Sequence, residues 1–405
     1  MMRYTMLSVG LLSAAALGQD KIDLTIQPAA KAVRYTIESR SSSTSEREVL
    51  VDGEPMEGRG GFGGGGGGGA TARESKVVFD EGREGGTTWR IYRHATAKMA
   101  MPGRDGEPVE NEVEGGMLNE RLSIVEDDRG VVVTREGDEG GELPPMMSRG
   151  IPTRTEFAGI TPKDGVAVGA EFDLPAAFLA MFSSIDHPVR PAFDPEAFAG
   201  RGGGQRPPRG EGAGEGGGQR PPRGEGAGEG EGQRPPRGQG GQAGQAGARF
   251  GGAGMMGMFG GDPTLRLLTN DKLNGKVVGK LVEVKDGIAR IQIQGTREAE
   301  GTLEEIGMAA LGGAAGGRGG RGGRGGGQAP AAGGDGSVKL TLAGEIWVDV
   351  AQHALVKIVV EGKSHTTTQA RMDRNEREIE MNATTDATFR YAVTAETSPE
   401  AGEGK

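Results

Sequence analysis

The chain has no cysteine, which rules out disulfide staples and thiolate metal ligands. It has only four histidines, His94, His187, His353 and His365, far apart in sequence. None stands in an HExxH or other ligand-spaced pattern, so no metal site is expected. There is no GxxxxGK[ST] phosphate loop and no GxSxG nucleophile turn, and GxGxxG spacings arise here from glycine content alone. No residue can be assigned as catalytic on these grounds, and no ligand-binding residue can be named. The expectation is a protein that is not an enzyme and needs no cofactor. Long apolar runs are missing as well. Met6–Leu17 is the longest, well short of the roughly 20 residues that span a bilayer as a helix.

That short run does fit a secretory signal. Arg3 supplies the charge, Met6–Leu17 the apolar stretch, and Ala16-Leu17-Gly18 the small residues before a cut at Gln19. Residues 1–18 are therefore expected to be removed on export to the periplasm or the extracellular space. No transmembrane segment is expected in the mature chain. The net charge of −10 argues against nucleic acid as a partner. An Arg-Gly-Gly run at Arg318, Arg321 and Arg324 looks like an RNA-binding box but has no aromatic residues for bases to stack on.

Glycine is abundant, at 78 residues, and most of it falls in three tracts, 57–70, 199–262 and 312–336. The second tract carries QRPPRGEGAGEG at Gln205 and again at Gln219, then a degraded copy at Gln233. Nearly balanced Arg and Glu, Pro-Pro and Gly-x-Gly leave nothing to build a core from, so a disordered linker is expected. Its tail, with Met255, Met256, Met258 and Phe259, is apolar enough to dock on the rest of the protein or form a sticky contact.

Outside these tracts the pattern is that of strands. Val338–Lys363 is expected to form two long strands around a turn at Ala351–Ala354. Val338, Leu340, Leu342, Ile346, Val348 and Val350 fall on one face of the first, and Ile358 and Val360 on one face of the second. In the last strand the odd positions Ile379–Val393 are mostly apolar and their even neighbours through Arg390 are polar. Such a strand belongs to an antiparallel sheet with one wet face. Val33–Glu38 reads as a strand broken by Ser41–Ser45, with Glu48–Val51 as its partner before an Asp52-Gly53 turn. Residues 100–118 read as irregular, and Arg297–Leu311 is ambiguous, with a weak helix as one reading. Arg121–Val125 and Val131–Thr134 read as a hairpin, as do Val277–Val284 and Ile288–Gln294. A helix is expected over Pro175–Phe182, with Pro175 at its first position and Phe178, Leu179 and Phe182 on one face. Six of the eleven phenylalanines lie between 157 and 198, marking the thickest part of the core or a lid over a ligand.

The carboxylate groups Asp127-Asp128, Glu304-Glu305 and Glu376, Glu378, Glu380 fall in turns or on wet faces, where solvation accounts for them. Trp89 and Trp347 lie on strands and are expected to pack.

The strand pairs Gly279–Gly295 and Val338–Ile358, with Gly344, Asp349 and Lys357 at the matching positions, resemble those of uncharacterised secreted bacterial β-proteins. Ile160–Leu174 resembles a third segment of that group, with Phe172 where Trp is usual. The resemblance implies a twisted antiparallel sheet or half-barrel and brings no catalytic residue. In architecture it is distantly similar to periplasmic lipoprotein carriers, whose curved sheet shelters a helix and an apolar groove.

The expected organisation is a signal peptide (1–18) and an N-terminal β region with the Phe-rich helix (19–198). A disordered linker (199–262), a C-terminal antiparallel β region (263–396) and a disordered tail (397–405) follow. The fold class is mostly β, with one or two short helices and disordered Gly-rich inserts. The expected role is an exported, non-enzymatic protein that binds a lipid or other apolar ligand in a curved sheet. The alternative is a surface-assembly protein that meets envelope proteins through its Gly-rich inserts.

Overall fold

The computed structural model describes residues 21–27, 31–55, 69–102, 107–128, 130–137, 141–143, 157, 159–183, 192–193, 272–306, 333–374 and 377–399. The signal segment, the repeat, Met255–Phe259, Arg318–Arg324, His187 and most of the Gly-rich inserts lie outside these. Of two compact units, one comprises Met1–Asp194 with Gly257–Lys405, and the other, Pro195–Met256, lies outside the described residues.

The first unit is built on one open antiparallel sheet of thirteen strands. The N-terminal strands are β1 (Val33–Val51), β2 (Glu54–Pro55), β3 (Ala70–Glu84), β4 (Thr87–Pro102), β5 (Pro108–Glu114), β6 (Arg121–Asp127), β7 (Gly130–Arg135) and β8 (Glu171–Asp173). A helix, α1 (Ala176–Ser183), follows. Then come β9 (Asn274–Lys285), β10 (Ile288–Thr302), β11 (Gly333–Asp349), β12 (Ala354–Arg374) and β13 (Arg377–Thr397). The order across the sheet is β7-β6-β4-β3-β1-β13-β12-β11-β10-β9-β8, with β2 beside β1 and β5 beside β4. The first and last long strands meet at the centre, where β1 pairs with β13 from Val33↔Thr397 to Val51↔Ile379.

Alternation sorts the residues onto two faces. The inner face carries Tyr35, Ile37, Val77, Phe79, Tyr92, Ile291, Ile346, Ile358, Val360, Tyr391 and Val393, all buried. Each large apolar side chain removed from water there contributes about 1.5–3 kcal/mol. Phe157 joins this face with its ring 5.3 Å from that of Tyr35, and Leu24, Ile160 and Phe178 are likewise buried. A smaller cluster of Leu273, Leu303, Ile306, Val338 and Ala370 lies toward the other end of the strands. Glycines in the strands make room. Gly362 sits opposite Phe389, whose ring occupies the space a Cβ would need, so the aromatic residue supplies the packing that the glycine lacks. Phe172 over Gly279 and Trp89 over Gly82 repeat the arrangement.

The inner face also buries an ion pair. Arg90 is 1% exposed and donates from Nε to Glu81 Oε2 at 3.0 Å and from Nη1 to the Tyr92 hydroxyl at 3.2 Å. Its guanidinium lies 4.5 Å from the Phe79 ring centroid.

Several expectations need correction. The serine run does not break β1, which continues through it to Val51. Its hydroxyls find cross-strand partners: Ser39 with Ser75, Ser43 with Thr71, Ser42 with Thr388, and Ser45 with Thr385. Serine's local hydrogen bonding, which favours turns in an isolated segment, is redirected between strands. The stretch 100–118 is not irregular, because β4 runs to Pro102 and β5 pairs with it from Thr96↔Glu114 to Pro102↔Pro108. As an edge strand β5 is solvated, with Val109 46% exposed, so it lacks the apolar face that would announce it. Arg297–Thr302 is strand rather than helix, held on both sides of Arg297 by Gly275 and Leu340. The third Gly-rich tract ends in β11, which begins at Gly333. In α1 the buried residues are Phe178 and Met181, with Leu179 half-buried, and the Phe182 side chain lies outside the described residues.

On the outer face, β1, β3 and β4 are clamped by Asp80, which is fully buried. It accepts from Arg34 Nε at 2.7 Å and Nη2 at 2.9 Å, and from Arg93 Nε at 2.8 Å. Arg93 is the extra residue of a bulge between the Phe79↔Tyr92 and Val78↔His94 pairs, a device that re-aims a side chain. Burial works against the carboxylate, yet hydrogen bonds from Arg34, Arg93 and Ser398 outweigh it and hold its pKa below the ordinary value. The stabilisation is therefore complete above the unfolded pKa near 3.9 and is lost as pH falls through the lower folded value. Asp80→Asn should cost about 2 kcal/mol at neutral pH and flatten the acid side of the stability profile. Urea midpoints measured from pH 7 downward check this, and an acid side as steep in the variant as in the native chain would refute it.

Candidate functional site

The outer face is a ladder of ion pairs. Lys76 meets Glu38 at 2.9 Å, Lys98 meets Glu112 at 3.2 Å, and Arg290 meets Glu345 at 2.7 Å. Lys76 is the largest influence lowering the Glu38 pKa. Across the middle of this face runs a groove of about 680 Å³ that crosses β3, β1, β13, β12 and β11.

Register shows how it is built. One wall is the rung Glu74, Arg40, Arg390, Glu361, Ala343, in which each residue faces the next across neighbouring strands. The other is the rung two residues along, Ala72, Ser42, Thr388, Lys363, Thr341. Between them lie Arg73, Ser41, Phe389, Gly362 and Leu342, whose side chains alternate to the inner face and whose backbone forms the floor. The two rungs stand roughly 7 Å apart from backbone centre to backbone centre, and five strands make the groove roughly 19 Å long. Its lining offers carbon from Ala72, Ala343, Leu342, Phe389 and the threonine methyls, and long side chains such as Arg40, Lys363 and Arg390 can add their aliphatic stems.

The two rungs that line the groove thus belong to the polar face. The apolar face, where a ligand was expected, is occupied around Tyr35, Phe79 and Tyr391 by the protein's own side chains.

The residues weighed from sequence do not converge. His94 lies by Thr96, His353 by the Thr25 carbonyl, and His365 by Asp386 with Nδ1 to Oδ1 at 2.8 Å. Among the described residues no group of three His, Asp or Glu is placed to hold a metal ion. Glu305 accepts from the Thr302 backbone and hydroxyl, which lower its pKa. Hydrogen bonds from Gln369 and Asn382 do the same for Glu380. Trp89 packs with Ala32 and Ile91, and Trp347 lies under the Lys357 ammonium at 4.9 Å. Among the described residues no helix is long and apolar enough to cross a membrane.

No protein-family model and no curated protein matches the chain. Among solved structures it is similar to lipovitellin, from a study of lipid–protein interactions, at 8% identity and a TM-score of 0.25. That match covers 92% of this chain and 26% of lipovitellin, so the chain spans about a quarter of its length. It is also similar to the outer membrane protein OprG of Pseudomonas aeruginosa, at 4% identity and a TM-score of 0.14 over 90% of this chain and 97% of OprG. A Rh. blastica porin gives 7% identity and a TM-score of 0.14 over 88% and 99%. Likenesses this weak carry no argument about this chain.

Proposed function

We propose that the protein is an exported, non-enzymatic binding protein that holds a slender molecule with an apolar body in the groove across β3, β1, β13, β12 and β11. The groove itself carries the proposal. It is a long channel, lined by small side chains and aliphatic stems, between two regular rungs. Lining chemistry favours binding over catalysis. The titratable side chains of the walls include two exposed ion pairs, Arg40–Glu74 at 3.6 Å and Arg390–Glu361 at 3.3 Å. The Ser42 hydroxyl meets Thr388 at 2.8 Å, and no histidine, lysine or carboxylate among the described residues is hydrogen-bonded to it. The leader-like N-terminus supports export.

Titration calorimetry with dodecyl maltoside below its micelle concentration tests this. Binding should occur with a negative heat-capacity change, the mark of buried apolar surface. Ala343→Asp, which replaces an exposed methyl group of the wall by a carboxylate beside Glu361, should weaken it about tenfold, or about 1.4 kcal/mol. No binding by the native chain, or equal binding by the variant, would overturn the proposal.

A further inference from the structure

The two halves of the groove wall meet at a pair of like charges. Arg40 on β1 and Arg390 on β13 stand directly opposite each other in register, an arrangement that is unfavourable when nothing lies between the cations. Lys363 on β12 faces Thr388 in the opposite wall, one diagonal step from Arg390, within reach for long side chains. Three cations from three strands thus border the middle of the groove, in a chain whose net charge is −10.

Their hydrogen-bonding capacity is largely unspent. Glu74 and Glu361 flank the arginines on the outer sides, at 3.6 and 3.3 Å from the respective Nε atoms. Neither guanidinium donates a hydrogen bond to another described side chain, and the Lys363 ammonium has no ion pair among the described residues. Glu38, one rung further along, is engaged chiefly by Lys76 and also feels the charges of Arg40 and Arg390, without a hydrogen bond to either. Elsewhere on the same face the arginines do spend their donors, Arg34 and Arg93 on Asp80 and Arg290 on Glu345 and Glu283. A guanidinium offers five donors in a fixed fork that matches an oxyanion. Two forks side by side, with an ammonium beside them, form a seat for one anionic group.

We infer that the ligand is an anionic amphiphile, whose phosphate or carboxylate head sits between Arg40, Arg390 and Lys363 while its alkyl part lies along the groove. This rests on the binding function proposed above and adds the chemistry of the head.

Calorimetry with dodecyl phosphate, dodecyl maltoside and inorganic phosphate separates the possibilities. The native chain should bind dodecyl phosphate about tenfold more tightly than dodecyl maltoside, with the advantage shrinking as salt rises. Arg40→Gln combined with Arg390→Gln should erase that advantage, so that the variant binds dodecyl phosphate no more tightly than it binds dodecyl maltoside. Both arginines are exposed, so the double variant should fold. Equal affinity for the two alkyl probes in the native chain, or an advantage that survives the double substitution, overturns the anionic head and leaves apolar binding standing. Inorganic phosphate that binds as tightly as dodecyl phosphate overturns the amphiphile, because the site would then be one for the free anion. If neither alkyl probe binds, the head and the groove function fall together.

Discussion

Glu81→Gln should lower stability by about 3–5 kcal/mol, the cost of removing one partner from a buried ion pair. Arg90 lies among Phe79, Tyr92 and Glu81 on the inner face and is 1% exposed. Burial works against its charge, and Tyr92 and Glu81 more than offset this, so its pKa stands above the ordinary value. An arginine guanidinium keeps its proton in proteins, so the variant holds a buried cation without its counter-charge. Replacing both partners by apolar residues, Arg90→Met with Glu81→Leu, should recover most of the loss, since two desolvated charges are no longer buried. Urea unfolding of the three chains decides the matter through shifts in midpoint at constant slope. A single variant that loses less than about 1 kcal/mol, or a double variant no better than the single, would show that the pair does not hold this part of the sheet as described.

That pair also shows where sequence patterning stops being informative. The faces of β11, β12 and β13 were legible because Val338, Leu340, Ile358, Tyr391 and Val393 alternate with polar neighbours, and period two is a local property. The β6–β7 hairpin and the Asp52-Gly53 turn were legible for the same kind of reason, with Asp52 and Gly53 both at positive φ. Glu81 and Arg90 were not, because a charged residue in a strand ordinarily marks the wet face, and only the Glu81↔Arg90 register sets the two opposite each other. The serine run failed for a related reason. The partners that keep Ser42 and Ser45 in a strand are Thr388 and Thr385, more than 300 residues away. The groove was the least legible feature of all. It consists of five tripeptides, 40–42, 72–74, 341–343, 361–363 and 388–390, none unusual by itself. Their meeting depends on β1 pairing with β13, a contact that joins the two ends of the chain.

Gly344→Val should be destabilising by at least about 3 kcal/mol, at the upper end of what overpacking costs, although valine is among the best strand formers. Gly344 lies within β11 between Ile293 of β10 and Val360 of β12. A Cβ built there would run into the Val359 carbonyl oxygen and come within 2.9 Å of the Val360 Cα. Those are backbone atoms of the neighbouring strand, so no rotamer change relieves the contact. The strands would have to move apart there, and β11 and β12 form a continuous antiparallel pair from Gly333 to Asp349. Gly287→Ala provides the comparison. Gly287 has φ of +79° in the β9–β10 turn and open space around it, so alanine there meets only backbone strain of about 1–2 kcal/mol. If Gly344→Val lost no more than Gly287→Ala in urea midpoint, the close approach of β12 would not be what requires glycine at 344. A large loss for Gly344→Val, with Gly344→Ala between the two, would place the requirement in the missing Cβ itself, at a point where β12 comes too close for any side chain.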